Sequence, residues 1–495
     1  MTTSLSNPEN STVVAERAEL RARSAKYTTY RIKHTLASRF AFLLVCVAII
    51  LSALAYGTVH YWALSLFFLG AVALLTLWVV DSWNLGTVRI SRNLLQLPVL
   101  GMLLLGLVQL LPLRNPGTSG LSAPFVRSLS LDPYSTRLVL VQTVALFIYF
   151  AATLVFTDTP KRLRVLVRTI IIFGFLLAIF GLTQSFTSPN KLYWMREMAQ
   201  STPFGPFVNR HHFAGYMELA LALPLGLLFS GSVAKEKRII YLFAALLMAV
   251  ALVMTNSRGG LISMCAEILF IAVIGLGSRQ SRHKSKVKSG LRSMTVRAGL
   301  AVGLVVALLI GVVALGGEDA LSRVVGTVNS EDPTTGRAHF WDVTLDIIKN
   351  HPVIGTGLGA FGVVYTGYDS RNGLYRLEQA HNDYLQVLSD AGIVGALLGL
   401  FFIVNLFRMA FARRESRDEF RRGVAIGALA GCFAVLVHSF FDFTLHTPSN
   451  ALLFLILAAL ATMNGRVEDV QNHRRRHSRS RHDGETNAVS DMAPL

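Results

Sequence analysis

The segment HNDYLQVLSDAGIVGALLGLFF, residues 381–402, sets an imidazole, an amide and an acid at the mouth of a long uncharged apolar run. At such a mouth His381 meets water rather than hydrocarbon. Below it Ala391, Gly395 and Gly399 recur every fourth residue, a spacing that admits a close neighbouring helix. An imidazole on a helix pinned in this way suits acid or base chemistry, and a structural histidine at an interface is the alternative. Asn382 and Asp383 accompany it, and Asp383 or Asp390 is in sequence reach to orient it. Two arginines belong to the same face: Arg258 in the turn TNSRGG (255–260) and Arg337 in TTGRAHFWDVTLDIIKN (334–350). A planar guanidinium takes phosphate oxygens two at a time and keeps its charge, so two from separate loops suit a pyrophosphate at a membrane surface. For Arg258 the alternative is snorkelling to lipid headgroups. Asn209, Arg210, His211 and His212 stand at the mouth of another apolar run, and His438 and Asp442 lie one turn apart in HSFFDF, where helix–helix hydrogen bonding is the expected role.

The elements that position these groups follow from composition. Of 495 residues, 52% are hydrophobic and 15% charged, more apolar surface than a soluble fold of this length hides. Apolar runs long enough to cross roughly 30 Å of hydrocarbon as helices recur about twelve times. They lie near 40–58, 60–80, 94–113, 138–157, 165–186, 213–232, 239–255, 260–277, 298–316, 392–408, 423–442 and 450–464. The expectation is an all-α membrane protein of about twelve transmembrane helices, spanning 39–464 between a basic segment, 1–38, and a basic tail, 465–495.

Lys and Arg are retained on the cytoplasmic side. With the N-terminus inside, 35 of the 47 Lys and Arg fall in the inward segments. Both termini are therefore expected in the cytoplasm, and the net charge of +18 reads as topology rather than nucleic-acid binding. The first apolar run lacks a small-residue cleavage site and reads as a retained anchor. Cys46, Cys265 and Cys432 lie within apolar runs without disulfide or metal spacing.

One outward loop, 317–391, is far longer than the rest and is read as folded. Thr334 or Thr335 can cap a helix on which Phe340, Val343 and Ile347 form an apolar stripe beside Trp341, Leu345 and Ile348, a helix suited to the membrane surface. Pro352 stops it beyond Asn350. The following GTGLGAFG (355–362) lacks the strand–helix setting of a dinucleotide loop. It reads as a tight turn that brings backbone close to the bilayer or to a phosphate.

In this order, NRHHFAGY (209–216), TNSRGG (255–260), GRAHFWDVTLDIIKNHPVIGTGLGAFG (336–362), HNDYLQVLSDAGIVG (381–395) and HSFFDFTLHTPSNALLF (438–454) resemble the O-antigen ligase and polysaccharide polymerase superfamily, over roughly residues 200–455. The resemblance implies a GT-C-like fold and an inverting, metal-independent glycosyltransferase without a cofactor. Its donor would be an oligosaccharide on undecaprenyl diphosphate, used on the periplasmic face of the bacterial inner membrane. The resemblance also implies that Arg258 and Arg337 bind the diphosphate and that His381 is the general base on the acceptor hydroxyl. Arg210, His211, Asn382, Asp383 and Arg376 rank second, with Arg371 beside them. NRHHFAG departs from the commoner Asn-Pro-Asn type pattern by carrying Arg210 and His211. Partners would be the lipid-linked donor, a glycan or lipid acceptor, the membrane, and export or chain-length-control proteins, with no nucleic acid.

The chemistry is consistent with that reading. A polyprenyl diphosphate leaves readily once cations neutralise its growing charge, and no Asp-x-Asp pair in an outward loop offers a metal bridge. An imidazole, with an unperturbed pKa of about 6.5, can take a hydroxyl proton for a rate gain of about 10²–10⁴. Polymerase in exopolysaccharide, capsule or O-antigen assembly, and ligase to a lipid A core or other acceptor, both remain open. A lipid-linked glycan transporter is the alternative of another class. It calls for ionisable groups at mid-bilayer, where Glu218 and Glu267 are the acidic candidates, both nearer one end of their runs.

Overall fold

The computed structural model describes residues 34–113, 127–198, 201–277, 337–370, 377–413, 416 and 418–463. Over these the chain is almost entirely helical. The helices are α1 (Leu36–Leu54), α2 (Tyr61–Leu85), α3 (Gln96–Gln109), α4 (Pro133–Phe156), α5 (Pro160–Thr187), α6 (Arg210–Ser230), α7 (Arg238–Met254), α8 (Arg258–Gly277), α9 (Arg337–Asn350), α10 (Phe361–Tyr368), α11 (Asp383–Arg413), α12 (Glu419–His438) and α13 (Pro448–Thr462). A two-residue hairpin pairs Lys191–Leu192 with Arg196–Glu197. Eleven of the twelve apolar runs fall on these helices. Eight helices are long and apolar enough to cross a membrane among the described residues, and α3 and α13 are shorter apolar helices. The run 298–316, Thr334, Thr335 and most of both basic ends lie outside the described residues.

Helix starts are set locally. Thr35, Asp132, Thr159, Asn209 and Asp418 each accept a first-turn N–H of α1, α4, α5, α6 and α12, and Pro133 and Pro160 occupy first positions that need no donor. Gly86 and Gly231 end α2 and α6 in the left-handed conformation.

At the centre, α6 and α12 touch backbone to backbone. A Cβ on Gly226 would lie 2.4 Å from the Gly427 Cα, and one on Gly427 2.5 Å from the Ala222 carbonyl oxygen. Helix α13 is buried along its whole length and packs on α12, α4, α6 and α11. Fifteen residues span about 22 Å, short of a bilayer core, and a helix jacketed by protein need not match lipid thickness.

The bundle has two chemically distinct ends. At one, Arg89 and Arg162 both reach Asp158, Arg89 also binds Asp81, and Arg162 donates to the Ser38 carbonyl and hydroxyl, which ties α1, α2 and α5 together. At the other gather the histidines of α6 and α12 and His381, which precedes α11.

The loop before α11 departs from expectation in three ways. Val343 and Ile347 of α9 are buried against Phe361, Val364 and Tyr365 of α10 and against Leu377 and Ala380, so the apolar stripe faces a protein layer and not the membrane. Two amphipathic elements bury more apolar surface against each other than either would on an interface. Second, Gly355, Gly357 and Gly359 all take positive φ, and their loop is pressed into a break in α11 at Gly392, itself at φ 61°. The Thr356 and Gly357 N–H groups donate to the Ser389 and Asp390 carbonyls, and the Gly359 N–H to the Asp390 carboxylate. These donors serve the α11 break, which corrects the reading of a turn toward bilayer or phosphate. Third, α11 begins at Asp383, ahead of the expected 392, and its small-residue row is used unevenly. Ala391 packs with Leu105 and Leu358, while a Cβ on Gly399 would meet nothing within 4 Å.

Candidate active site

His381 sits between Ala380 and the start of α11 with φ 52°, a left-handed conformation uncommon for a residue with a side chain. Both neighbours are tied. Gln386 Oε1 accepts the Ala380 N–H, and Asn382 Oδ1 caps α11 through the N–H groups of Tyr384 and Leu385. Asn382 thus shapes the backbone at His381.

The ring meets a carboxylate that is distant in sequence. Asp442, in the turn between α12 and α13, lies with Oδ1 3.2 Å from His381 Nδ1. An ionised carboxylate only accepts, so Nδ1 carries the hydrogen and Nε2 is left with its lone pair. Asp442 is almost fully buried, whereas the His381 side chain is 26% exposed. Burial alone would raise the Asp442 pKa. The His381 hydrogen bond and the electrostatic influence of the His211 and His381 rings and of Arg337 outweigh it and hold the carboxyl well below its ordinary range. On the Oδ2 side stand Arg337 at 3.7 Å and His211 at 3.8 Å. Arg337 also donates to the Phe441 carbonyl. Phe443 presents its edge to both His381 and His212, at 4.9 Å between centroids in each case.

The turn that carries Asp442 is fastened by a second pair. Asp383 accepts from His446 Nδ1 at 2.8 Å and from the Ser439 hydroxyl at 2.7 Å, and its N–H donates to the Ser439 carbonyl. Asp383 is therefore a fastening for the turn, and Asp390 serves the glycine loop. Asp442, not Asp383 or Asp390, orients His381, because the α12–α13 turn passes in front of α11. Burial would lower the His446 pKa, but the Asp383 hydrogen bond and charge, with Asp390 behind, raise it.

Arg258 is the first residue of α8, exposed, with no hydrogen bond or ion pair to the described residues. Its turn packs on the same structure: a Cβ on Gly259 would meet His438 at 2.7 Å and Phe441 at 3.0 Å. The turn that carries Arg258 and the Arg337 side chain thus both meet Phe441. Arg210 begins α6 and its N–H donates to the Thr202 carbonyl. His211 follows, with Nδ1 2.8 Å from the Ser257 hydroxyl. Arg371 and Arg376 lie outside the described residues.

His438 and Asp442 do not pair with each other. His438 Nδ1 meets Glu218 of α6 at 2.8 Å with both side chains fully buried, and the backbone joins the two turns through the Asp442 N–H and the His438 carbonyl. The sequence places Asp442 one turn from His438, where helix–helix hydrogen bonding is the expected role, and so does not single it out as the partner of His381. Its partner is 61 positions away, and only the acid's place in a turn beyond a helix end hinted at it.

The geometry joins a carboxylate-held imidazole with an open Nε2 to an arginine on the opposite carboxylate edge. This arrangement can remove a hydroxyl proton beside bound negative charge. Among curated proteins no sequence matches the chain. Residues 243–400 match the family model described as O-Antigen ligase, a stretch that holds Arg258, Arg337 and His381. With eight apolar helices long enough to cross a membrane among the described residues, the chain is a multi-pass membrane protein, and the match over residues 243–400 supports the O-antigen ligase and polysaccharide polymerase superfamily.

Proposed function

We propose that the protein transfers a glycan from an undecaprenyl-diphosphate-linked donor to a hydroxyl acceptor at the periplasmic face, without a metal and with inversion. The observation that carries this reading is the two-sided use of Asp442, with His381 Nδ1 on Oδ1 and Arg337 on the Oδ2 side. His381 Nε2 takes the acceptor proton as the acceptor oxygen attacks the anomeric carbon. Asp442 stabilises the imidazolium that forms, and Arg337 and Arg258 offset the charge that accumulates on the departing diphosphate. The bond from the anomeric carbon to the diphosphate oxygen breaks in the same displacement, which inverts the centre. Asp383, His446 and Asn382 hold the two segments that bear Asp442 and His381.

The test uses purified full-length protein in lipid nanodiscs with lipid-linked donor and acceptor. His381→Ala is expected to abolish transfer and to leave donor binding near that of the parent, with the parent's product linkage opposite in configuration to the donor's. Ordinary transfer by well-folded His381→Ala, or retained configuration, overturns the reading. Polymerase and ligase separate in a deletion strain: single repeat units left on the carrier indicate a lost polymerase, and long chains on the carrier a lost ligase.

A further inference from the structure

His211 and His381 flank one carboxylate, yet their Nδ1 atoms have different partners. Ser257 is fully buried, and its hydroxyl oxygen already accepts the Gly260 N–H at 3.2 Å. A buried hydroxyl hydrogen needs an acceptor. Among the described residues the one in reach is His211 Nδ1 at 2.8 Å, and that same Nδ1 lies 3.8 Å from Asp442 Oδ2, beyond hydrogen-bond distance, so the carboxylate does not claim it. The serine therefore donates to Nδ1, and the hydrogen of neutral His211 sits on Nε2. At His381 the carboxylate draws the hydrogen to Nδ1. The two rings are locked as opposite tautomers, one offering a lone pair and the other an N–H. Both are partly open, at 24% and 26% of side-chain surface. Their sides differ as well: His381 lies on Oδ1, whereas His211 shares the Oδ2 side with Arg337.

We propose that His211 is a donor-binding residue whose Nε2–H, fixed by Ser257, donates to a phosphate oxygen of the lipid diphosphate beside Arg337. The assignment rests on the diphosphate role given to Arg337 above. It separates the two histidines: His381 removes a proton, and His211 selects and seats the anion without changing its own protonation. A neutral donor adds directionality where Arg337 adds charge.

The test measures binding of undecaprenyl diphosphate, and of undecaprenyl monophosphate as reference, to full-length protein in nanodiscs. His211→Phe keeps the ring and removes the donor, and is expected to weaken diphosphate binding about tenfold to a hundredfold, the range of a hydrogen bond to a charged group. His211→Gln keeps an N–H at similar reach and should stay within about threefold of the parent. Ser257→Ala frees the tautomer and should shift binding in the same direction as His211→Phe. Equal binding by the Phe and Gln variants and the parent overturns the proposal. So does loss of transfer with unaltered diphosphate binding in His211→Phe, which would make His211 the base. If His211→Phe does not insert, the Gln and Ser257→Ala variants decide, since unchanged binding in Ser257→Ala together with loss in His211→Gln contradicts a tautomer-fixed donor. A parent protein that does not prefer diphosphate to monophosphate, or that keeps this preference in Arg337→Ala, rejects the wider reading. A preference that needs Arg337 and ignores His211 rejects this inference alone.

Discussion

Asp442 is the residue on which the site turns, since one carboxylate serves His381 by hydrogen bond and faces Arg337 on its other edge. Asp442→Asn keeps the shape and removes the charge that supports the imidazolium. Transfer should fall by about a hundredfold or more in kcat with little change in donor KM, because the lost interaction belongs to the transition state. An unchanged kcat in steady-state assays of the purified variant would show that the carboxylate only packs there. Arg258→Lys and Arg337→Lys keep charge and lose the fork, so each should raise donor KM about tenfold or more. Free exchange for lysine at both would leave them as headgroup anchors. The neighbouring His446 is held above the imidazole's ordinary pKa, so its charged pairing with Asp383 contributes fully below about pH 6.5 and is lost as pH rises through the raised value. Thermal unfolding should therefore show a stabilising contribution that fades on the alkaline side and is absent in His446→Gln. A parent curve parallel to that of His446→Gln across this range would remove the pair from any role in holding the turn.

Among the elements, the α6–α12 contact decides how near the histidines of two helices come. Glycine costs an exposed helix roughly 0.5–1 kcal/mol relative to alanine. Even so, Gly226→Ala is expected to destabilise by about 1–3 kcal/mol, because its Cβ would meet the Gly427 backbone, which cannot swing aside as a side chain would. Detergent-solubilised thermal unfolding measures this, and a stabilised variant would mean that the helices part freely. A comparable constraint operates at the α11 break. Gly355 has φ 70°, and a Cβ there would lie 2.3 Å from the Asp390 carbonyl carbon. Gly355→Ala should loosen the 352–360 loop from α11 and reduce transfer without touching substrate. Hydrogen exchange at Thr356 and Gly357, whose N–H groups bond to α11, reports the loosening directly.

For the molecule as a whole, the groups proposed to meet the diphosphate come from separate segments: Arg258 opens α8, Arg337 opens α9 and His211 lies in α6. Only the folded bundle gathers them at one end, while Arg89 and Arg162 are spent on Asp81 and Asp158 at the other. Part of the basic excess at that end therefore serves an internal ion network rather than headgroups. If side chains carry the diphosphate charge, purified protein should keep its transfer activity in excess EDTA. Activity lost on chelation and restored by magnesium or manganese would reject the arginine account.

Helix positions could be read in advance because membrane-length apolarity is a local property. Eleven of the expected runs lie on helices, and caps such as Thr159–Pro160 and Asn209 mark starts that need no distant partner. Residue types also drew attention to His381, Arg258 and Arg337, since an imidazole can exchange a proton and a guanidinium can hold phosphate oxygens. Partners were another matter. Helical periodicity tells which face a side chain occupies but not which helix lies opposite, so His381 with Asp442, His438 with Glu218 and His211 with Ser257 emerged only in the packed bundle, across 61, 220 and 46 positions. The same limit explains α9, whose apolar stripe was legible while its cover was not. It also explains the glycine loop, whose positive φ angles serve a break in α11 that depends on the two segments meeting. Local chain chemistry set the elements and the groups able to react, and long-range packing chose which carboxylate meets which imidazole, because that choice depends on neighbours that no single segment contains.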